Sequence, residues 1–185
     1  MRTAAVVLAA GAGTRYGAPD HKLLADFRGR PLVTWAVDAA VEAGLDETIV
    51  VVGAVPLTEV LPDGVVVVDN PAWEAGAAGS LRCAVDRAAA DGVEAVVVAL
   101  GDQPLLEPSA WRAVAASDAP IAVATYEGHR GHPVRLDRTV WPLLPTDGDE
   151  GGRVVMRRRP ELVREIPCRG APTDMDTVED FDRWS

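Results

Sequence analysis

The sequence predicts an α/β fold, with a mostly parallel sheet covered by helices on both faces. Three observations carry this expectation. Short valine-containing apolar runs alternate with segments of helical period, several of those runs stop at glycine, and the runs are apolar throughout rather than alternating. Unbroken apolar runs mark strands buried on both faces, as βαβ units require. The 185 residues, 48% of them hydrophobic, fit one domain over 1–185 with one large core.

Residues 3–9 read as a fully buried strand stopped by Gly11, and residues 11–22 as a glycine-rich loop with Pro19 and Asp20 as further turn signals. Pro31 suits the first turn of a helix in which Leu32, Val33, Ala36, Val37, Ala40 and Val41 recur at helical spacing up to Gly44. A second strand is expected over 48–52, a short helix over 56–61 and a third strand over 65–68. An irregular loop over 70–79 leads into a helix from Ser80 to Ala90, and residues 95–100 form a fourth strand ending at Gly101-Asp102-Gln103-Pro104. Pro108 starts another helix. Strands over 121–125 and 132–136 are joined through a hairpin at Gly128–Gly131, which adds an antiparallel strand. Residues 140–144 and the turn after Gly151-Gly152 read as helical, 162–166 as a strand, and 177–184 as a short terminal helix.

Bulk properties exclude several classes. A net charge of −10 gives no basic stripe for nucleic acid. The apolar stretch before Gly11 is too short for a membrane span and no cleavage-type segment follows it, so the expectation is a cytoplasmic protein without membrane partners. Cys83 and Cys168, the only cysteines, fit reduced thiols rather than a disulfide framework or metal pair. Of 18 basic residues, Lys22 is the only lysine. In so arginine-rich a chain, that lysine fits a position that needs a compact, mobile point charge, although composition alone can also leave one lysine anywhere.

Two segments at strand ends carry chemistry, because ligands of open α/β sheets bind beyond the carboxyl ends of the strands. The first is Leu8-Ala9-Ala10-Gly11-Ala12-Gly13-Thr14-Arg15-Tyr16-Gly17, followed by Lys22. Small residues allow close backbone approach, and successive N–H groups can cradle phosphates. Arg15 can pair bidentately with phosphate, and Lys22 adds a mobile charge. Tyr16 stands where the dinucleotide fingerprint needs its third glycine, and the P-loop Gly-Lys-Ser/Thr is missing; a plain strand-to-helix turn is the competing reading. The second segment is Gly101-Asp102-Gln103-Pro104, where Asp102 is placed either to hold Mg²⁺ or to cap a turn.

The run Leu-Ala-Ala-Gly-x-Gly-x-Arg-x-Gly followed by Lys resembles the nucleotidyltransferases of the molybdenum-cofactor group, the MobA-like NTP transferases. The resemblance implies a GT-A-like, Rossmann-like three-layer fold. Gly101-Asp102-Gln103-Pro104 is similar to the cytidylyltransferase branch, and so are Asn70-Pro71-Ala72-Trp73-Glu74-Ala75-Gly76 leading to Ser80, Gly131-His132-Pro133, and Gly148-Asp149-Glu150-Gly151-Gly152-Arg153. Asp174-Met175-Asp176-Thr177-Val178-Glu179-Asp180 resembles the family's acidic ending, with Val178 in place of a proline.

By resemblance, Leu8, Ala9, Ala10, Gly11, Gly13, Arg15, Lys22, Ser80 and Asp102 bind the nucleotide, and Arg15, Lys22 and Asp102 are catalytic. Asp102 and Asp176 hold Mg²⁺ or Mn²⁺, and His132 and Arg153 face the acceptor. Simpler readings stand beside these: Ser80 as a helix cap, His132 in a local hydrogen bond, and the acidic run as a solvated helix start. The implied reaction moves CMP from CTP to the phosphate of a molybdopterin-type cofactor, with a molybdoenzyme or its chaperone as the recipient of the product. Guanylyl transfer in deazaflavin-cofactor synthesis is one alternative. A nicotine-blue-type oxidoreductase, a label some relatives carry, is another, and a non-catalytic nucleotide binder is a third.

Overall fold

The computed structural model describes residues 1–14, 16–17 and 21–184. Its elements are β1 (Thr3–Ala9), β2 (Asp26–Phe27), β3 (Arg30–Pro31), α1 (Leu32–Glu42), β4 (Glu47–Val52), β5 (Val66–Asp69), α2 (Ala77–Ala90), β6 (Ala95–Leu100), α3 (Pro108–Ala115), β7 (Ile121–Tyr126), β8 (His129–Asp137), α4 (Arg153–Arg158), β9 (Val163–Pro167) and α5 (Val178–Trp184). Seven strands form one sheet in the order β5-β4-β1-β6-β8-β7-β9, while β2 and β3 make a separate small hairpin. Within the large sheet β8 runs antiparallel to both β6 and β7, and the other pairings are parallel.

Alternation along β1 explains why the strand is apolar on both sides. Ala4 and Val6 pack with Leu81, Ala84, Val85 and Ala88 of α2. Ala5, Val7 and Ala9 pack with Val33, Ala36, Val37 and Ala40 of α1 and with Trp111 and Val114 of α3. Each fully buried branched side chain contributes about 1.5–3 kcal/mol, so two filled cores hold the sheet between its helical layers. A third cluster of Phe27, Leu32, Met175 and Phe181, flanked by Tyr16 and Trp35, ties the β2–β3 hairpin to the C-terminal segment.

The differences from the expected elements are local. Helix α2 begins at Ala77 rather than Ser80, and Pro31 precedes α1 instead of lying in its first turn. Residues 58–60 and 138–143 form 3-10 turns rather than α-helix. The β7–β8 hairpin turns at Glu127-Gly128, both with positive φ (50° and 84°). That is the left-handed geometry whose twist matches a two-residue hairpin. Gly131 therefore lies inside β8, where the register shifts between Val123 and Ala124. Cys83 and Cys168 are free thiols. Among the described residues no helix is long and apolar enough to cross a membrane.

Candidate active site

Strand β1 lies between β4 and β6, and the chain leaves β1 for one face and β5 for the other, which opens a crevice at the carboxyl ends. The two predicted segments meet there. The Gly101 N–H donates to the Leu8 carbonyl at 2.9 Å, and the Ala54 N–H donates to the Ala10 carbonyl at 3.0 Å. A cleft of about 450 Å³ opens along this seam, lined by residues 8–14 together with Lys22, Trp73, Ser80 and Asp102. Leu8, Ala9, Ala10, Gly11, Gly13, Lys22, Ser80 and Asp102 thus share one cleft. Arg15 lies outside the described residues.

Local folding fixes the backbone under Lys22. The His21 Nδ1 accepts from the Leu23 N–H at 3.2 Å and caps the short 3-10 turn 22–24. Its Nε2 lies 3.0 Å from the Gly11 carbonyl, so the neutral tautomer protonated on Nε2 satisfies both partners. Burial lowers the His21 pKa and the neighbouring Lys22 charge adds to this, against the opposing Gly11 hydrogen bond. Gly13 has φ +63°, and a Cβ there would lie 2.9 Å from the Lys22 Cβ. Only glycine lets the loop close on the lysine.

Lys22 Nζ donates to Asp102 Oδ2 at 2.6 Å and to Asp176 Oδ1 at 2.9 Å, with 8% of the lysine side chain exposed. Burial pulls the Lys22 pKa down, but the two carboxylates more than reverse this and raise it; the group is an ammonium. Asp102 Oδ1 is buried and has no hydrogen-bond partner among the described residues. Asp176 is brought in by its own segment. The Met175 N–H donates to the Asp102 carbonyl at 3.0 Å. Thr177 and Asp180 then form a reciprocal cap, Asp180 Oδ2 accepting from the Thr177 N–H at 2.9 Å and Thr177 Oγ1 from the Asp180 N–H at 3.3 Å. This cap starts α5 without the proline that Val178 replaces.

Other residues have structural tasks that sequence reading did not assign. Gln103, 2% exposed, donates to Asp174 Oδ1 at 2.6 Å and so clamps the segment that delivers Asp176. Burial and the nearby Asp102 charge raise the Asp174 pKa, the Gln103 bond opposing them. Ser80 does not cap α2, because the helix starts three residues earlier; its Oγ instead accepts from the buried Asn70 Nδ2 at 3.0 Å. Trp73 also lines the cleft, on a 3-10 turn hidden within the expected irregular loop.

A second cleft of about 610 Å³ adjoins the first; Leu8, Ala77, Leu100 and Asp149 line both. His132 and Arg153 are in its wall, over an apolar floor that includes Val98, Val123 and Leu136. Burial, with a smaller contribution from the Arg153 charge, pushes the His132 pKa down to about 4, so the imidazole is neutral at physiological pH. The rim between the clefts is fixed by Gly148, whose carbonyl accepts from the Ala78 N–H at 2.9 Å and whose N–H donates to the Ala75 carbonyl at 3.0 Å. Among the described residues no group of three or more His, Cys, Asp or Glu side chains is gathered as a metal cage. Mg²⁺ needs only one or two carboxylates, its other positions going to water and phosphate oxygens. The buried, unpartnered Asp102 oxygen fits such a ligand.

A parallel-sheet crevice with a glycine-rich loop, an ammonium and two carboxylates defines a nucleotide-handling enzyme of the nucleotidyltransferase kind. The chain belongs to the MobA-like NTP transferase domain family, whose model matches residues 5–163. It is 36% identical to the nicotine blue oxidoreductase of Paenarthrobacter nicotinovorans, over 96% of this chain and 94% of that protein. It is 35% identical to the bifunctional protein GlmU of Sorangium cellulosum over 66% of this chain, but spans only 28% of that protein's length. Among solved structures, Rv0371c of Mycobacterium tuberculosis superposes with a TM-score of 0.85 at 33% identity, covering 100% of this chain and 97% of that one. Rv0371c in complex with manganese gives 0.82 at 31% identity, covering 100% and 98%.

Proposed function

We propose that the chain transfers a nucleoside monophosphate, CMP from CTP in the foremost reading, to the phosphate of a molybdopterin-type acceptor and releases pyrophosphate. The observation that carries transfer is the convergence of Lys22, Asp102 and Asp176 at the mouth of the glycine-rich loop. The triphosphate lies along the N–H groups of residues 10–14, and Arg15 and Lys22 offset its charge. Asp102 and Asp176 would hold a divalent cation; use of such a cation is supported by the manganese complex of the similar Rv0371c. When bound, that cation supplies charge neutralisation at the reacting phosphates.

The acceptor sits in the second cleft against His132 and Arg153. Its phosphate monoester has a second pKa of about 6 and is already an anionic nucleophile at neutral pH. One of its oxygens bonds to the α-phosphorus, the bond to the bridging oxygen of the β-phosphate breaks, and pyrophosphate departs. This chemistry needs no general base, and a neutral His132 acts as a hydrogen-bonding wall for the acceptor. A molybdoenzyme or its chaperone is the recipient of the dinucleotide, and the reaction is cytoplasmic in this reading.

A second reading, nicotine-blue-type oxidoreduction, is favoured by one observation. A relative matched over 96% of the chain bears that name, and this similarity weighs for it over the pterin-specific reaction. The site chemistry weighs the other way, because Tyr16 breaks the dinucleotide fingerprint while both candidate metal carboxylates are in place. A thermal-shift screen separates the readings through ligand linkage. CTP, GTP or ATP with Mg²⁺ should raise the unfolding midpoint, CTP most of all. A rise with NADH or NADPH and none with any triphosphate would favour the oxidoreductase.

A further inference from the structure

The Lys22 ammonium bridges Asp102 and Asp176 but leaves one Asp102 oxygen unsatisfied among the described residues. Its Nζ contacts one oxygen of Asp102 and one of Asp176, leaving Asp102 Oδ1 buried and unpartnered among the described residues. A group with three donors on a single nitrogen cannot reach every oxygen of two carboxylates, whereas a divalent cation with several coordination positions can take more of them. The lysine's backbone is fixed by the His21 cap and by Gly13 against its Cβ. Its four-carbon stem borders the first cleft and has the rotatable bonds through which the ammonium can swing toward it.

We infer that Lys22 is a resident counter-ion that a divalent cation displaces. Cation binding at Asp102 and Asp176 breaks both ion pairs and turns the ammonium out into the first cleft, where a triphosphate lies. The inference rests on the metal-assisted reading above. It adds that the cation and the lysine compete for the same oxygens, and that cation binding is the event that releases the lysine toward phosphate. A bystander lysine would hold its ion pairs whether or not the cation is bound.

Because Lys22 is the only lysine in the chain, protein grown on ¹³C,¹⁵N-labelled lysine gives one Nζ and one Cε signal, with no assignment needed. In metal-free protein the buried, doubly paired ammonium should give an observable NζH₃⁺ resonance. Titration with Mg²⁺ alone should shift or erase that resonance, with the same midpoint as Mg²⁺ binding followed by calorimetry. Mn²⁺ binding followed by electron paramagnetic resonance should tighten about five-fold or more in Lys22→Met, which loses the competing charge. Mg²⁺ bound by calorimetry with the Lys22 signal unmoved would overturn the inference and leave the metal-assisted reading standing. An unchanged or weakened Mn²⁺ affinity in Lys22→Met would do the same. If neither protein binds either cation, the metal-assisted reading falls and the inference with it.

Discussion

Lys22 and Asp102 are eighty positions apart in the chain and 2.6 Å apart in space. At this scale the sequence was informative about chemical types and silent about partners. An isolated lysine and an aspartate leaving a buried strand could be picked out by type and position, and Asp176 only through the family resemblance. The link among them could not, since it depends on the Met175–Asp102 and Gln103–Asp174 bonds that draw in the C-terminal segment. His132 shows the same division: its place on a strand was legible, its position in the wall of the second cleft was not. The folded chain keeps the imidazole neutral down to about pH 4, whereas an unfolded chain takes up that proton near 6.5. The unfolded state therefore binds more protons between those values, and stability falls as pH drops through that window. Urea midpoints measured from pH 7 to pH 4 should decline, and His132→Gln should decline less over the same range.

The strands and longer helices were legible because period and punctuation agree. Thr3–Ala9 matched its expected bounds, as did the Ala95–Leu100 strand. Elements set by tertiary contact were not legible. Two-residue strands such as Asp26–Phe27 and Arg30–Pro31 have no measurable period. The start of α2 depends on Gly76, whose φ of +106° turns the chain into the helix. A Cβ at Gly76 would lie 2.6 Å from both the carbonyl carbon and the oxygen of Gly148, so the rim between the two clefts packs directly on this glycine. Gly76→Ala must pay backbone strain and push that rim away. It should destabilise the protein by about 1–3 kcal/mol in urea unfolding and speed amide exchange at Gly148 and Ala78.

At the scale of the whole molecule, the sheet brings its parallel strands β1 and β6 side by side so that their carboxyl ends place the glycine-rich loop against Asp102. The α5 segment then closes the site from the side, with the Tyr16 and Phe181 rings 4.9 Å apart. Family membership and this geometry agree on nucleotidyl transfer, while base and acceptor depend on contacts made only when substrates bind. A cleft that activates a triphosphate releases pyrophosphate from it, and that release is the direct measurement. With CTP, Mg²⁺ and a phosphorylated pterin acceptor, the protein should release pyrophosphate, and Asp102→Asn should slow this by about 100-fold or more with its fold intact by circular dichroism. No pyrophosphate from any nucleoside triphosphate, together with NAD(P)H-dependent reduction of a dye acceptor, would rule out triphosphate activation in this cleft.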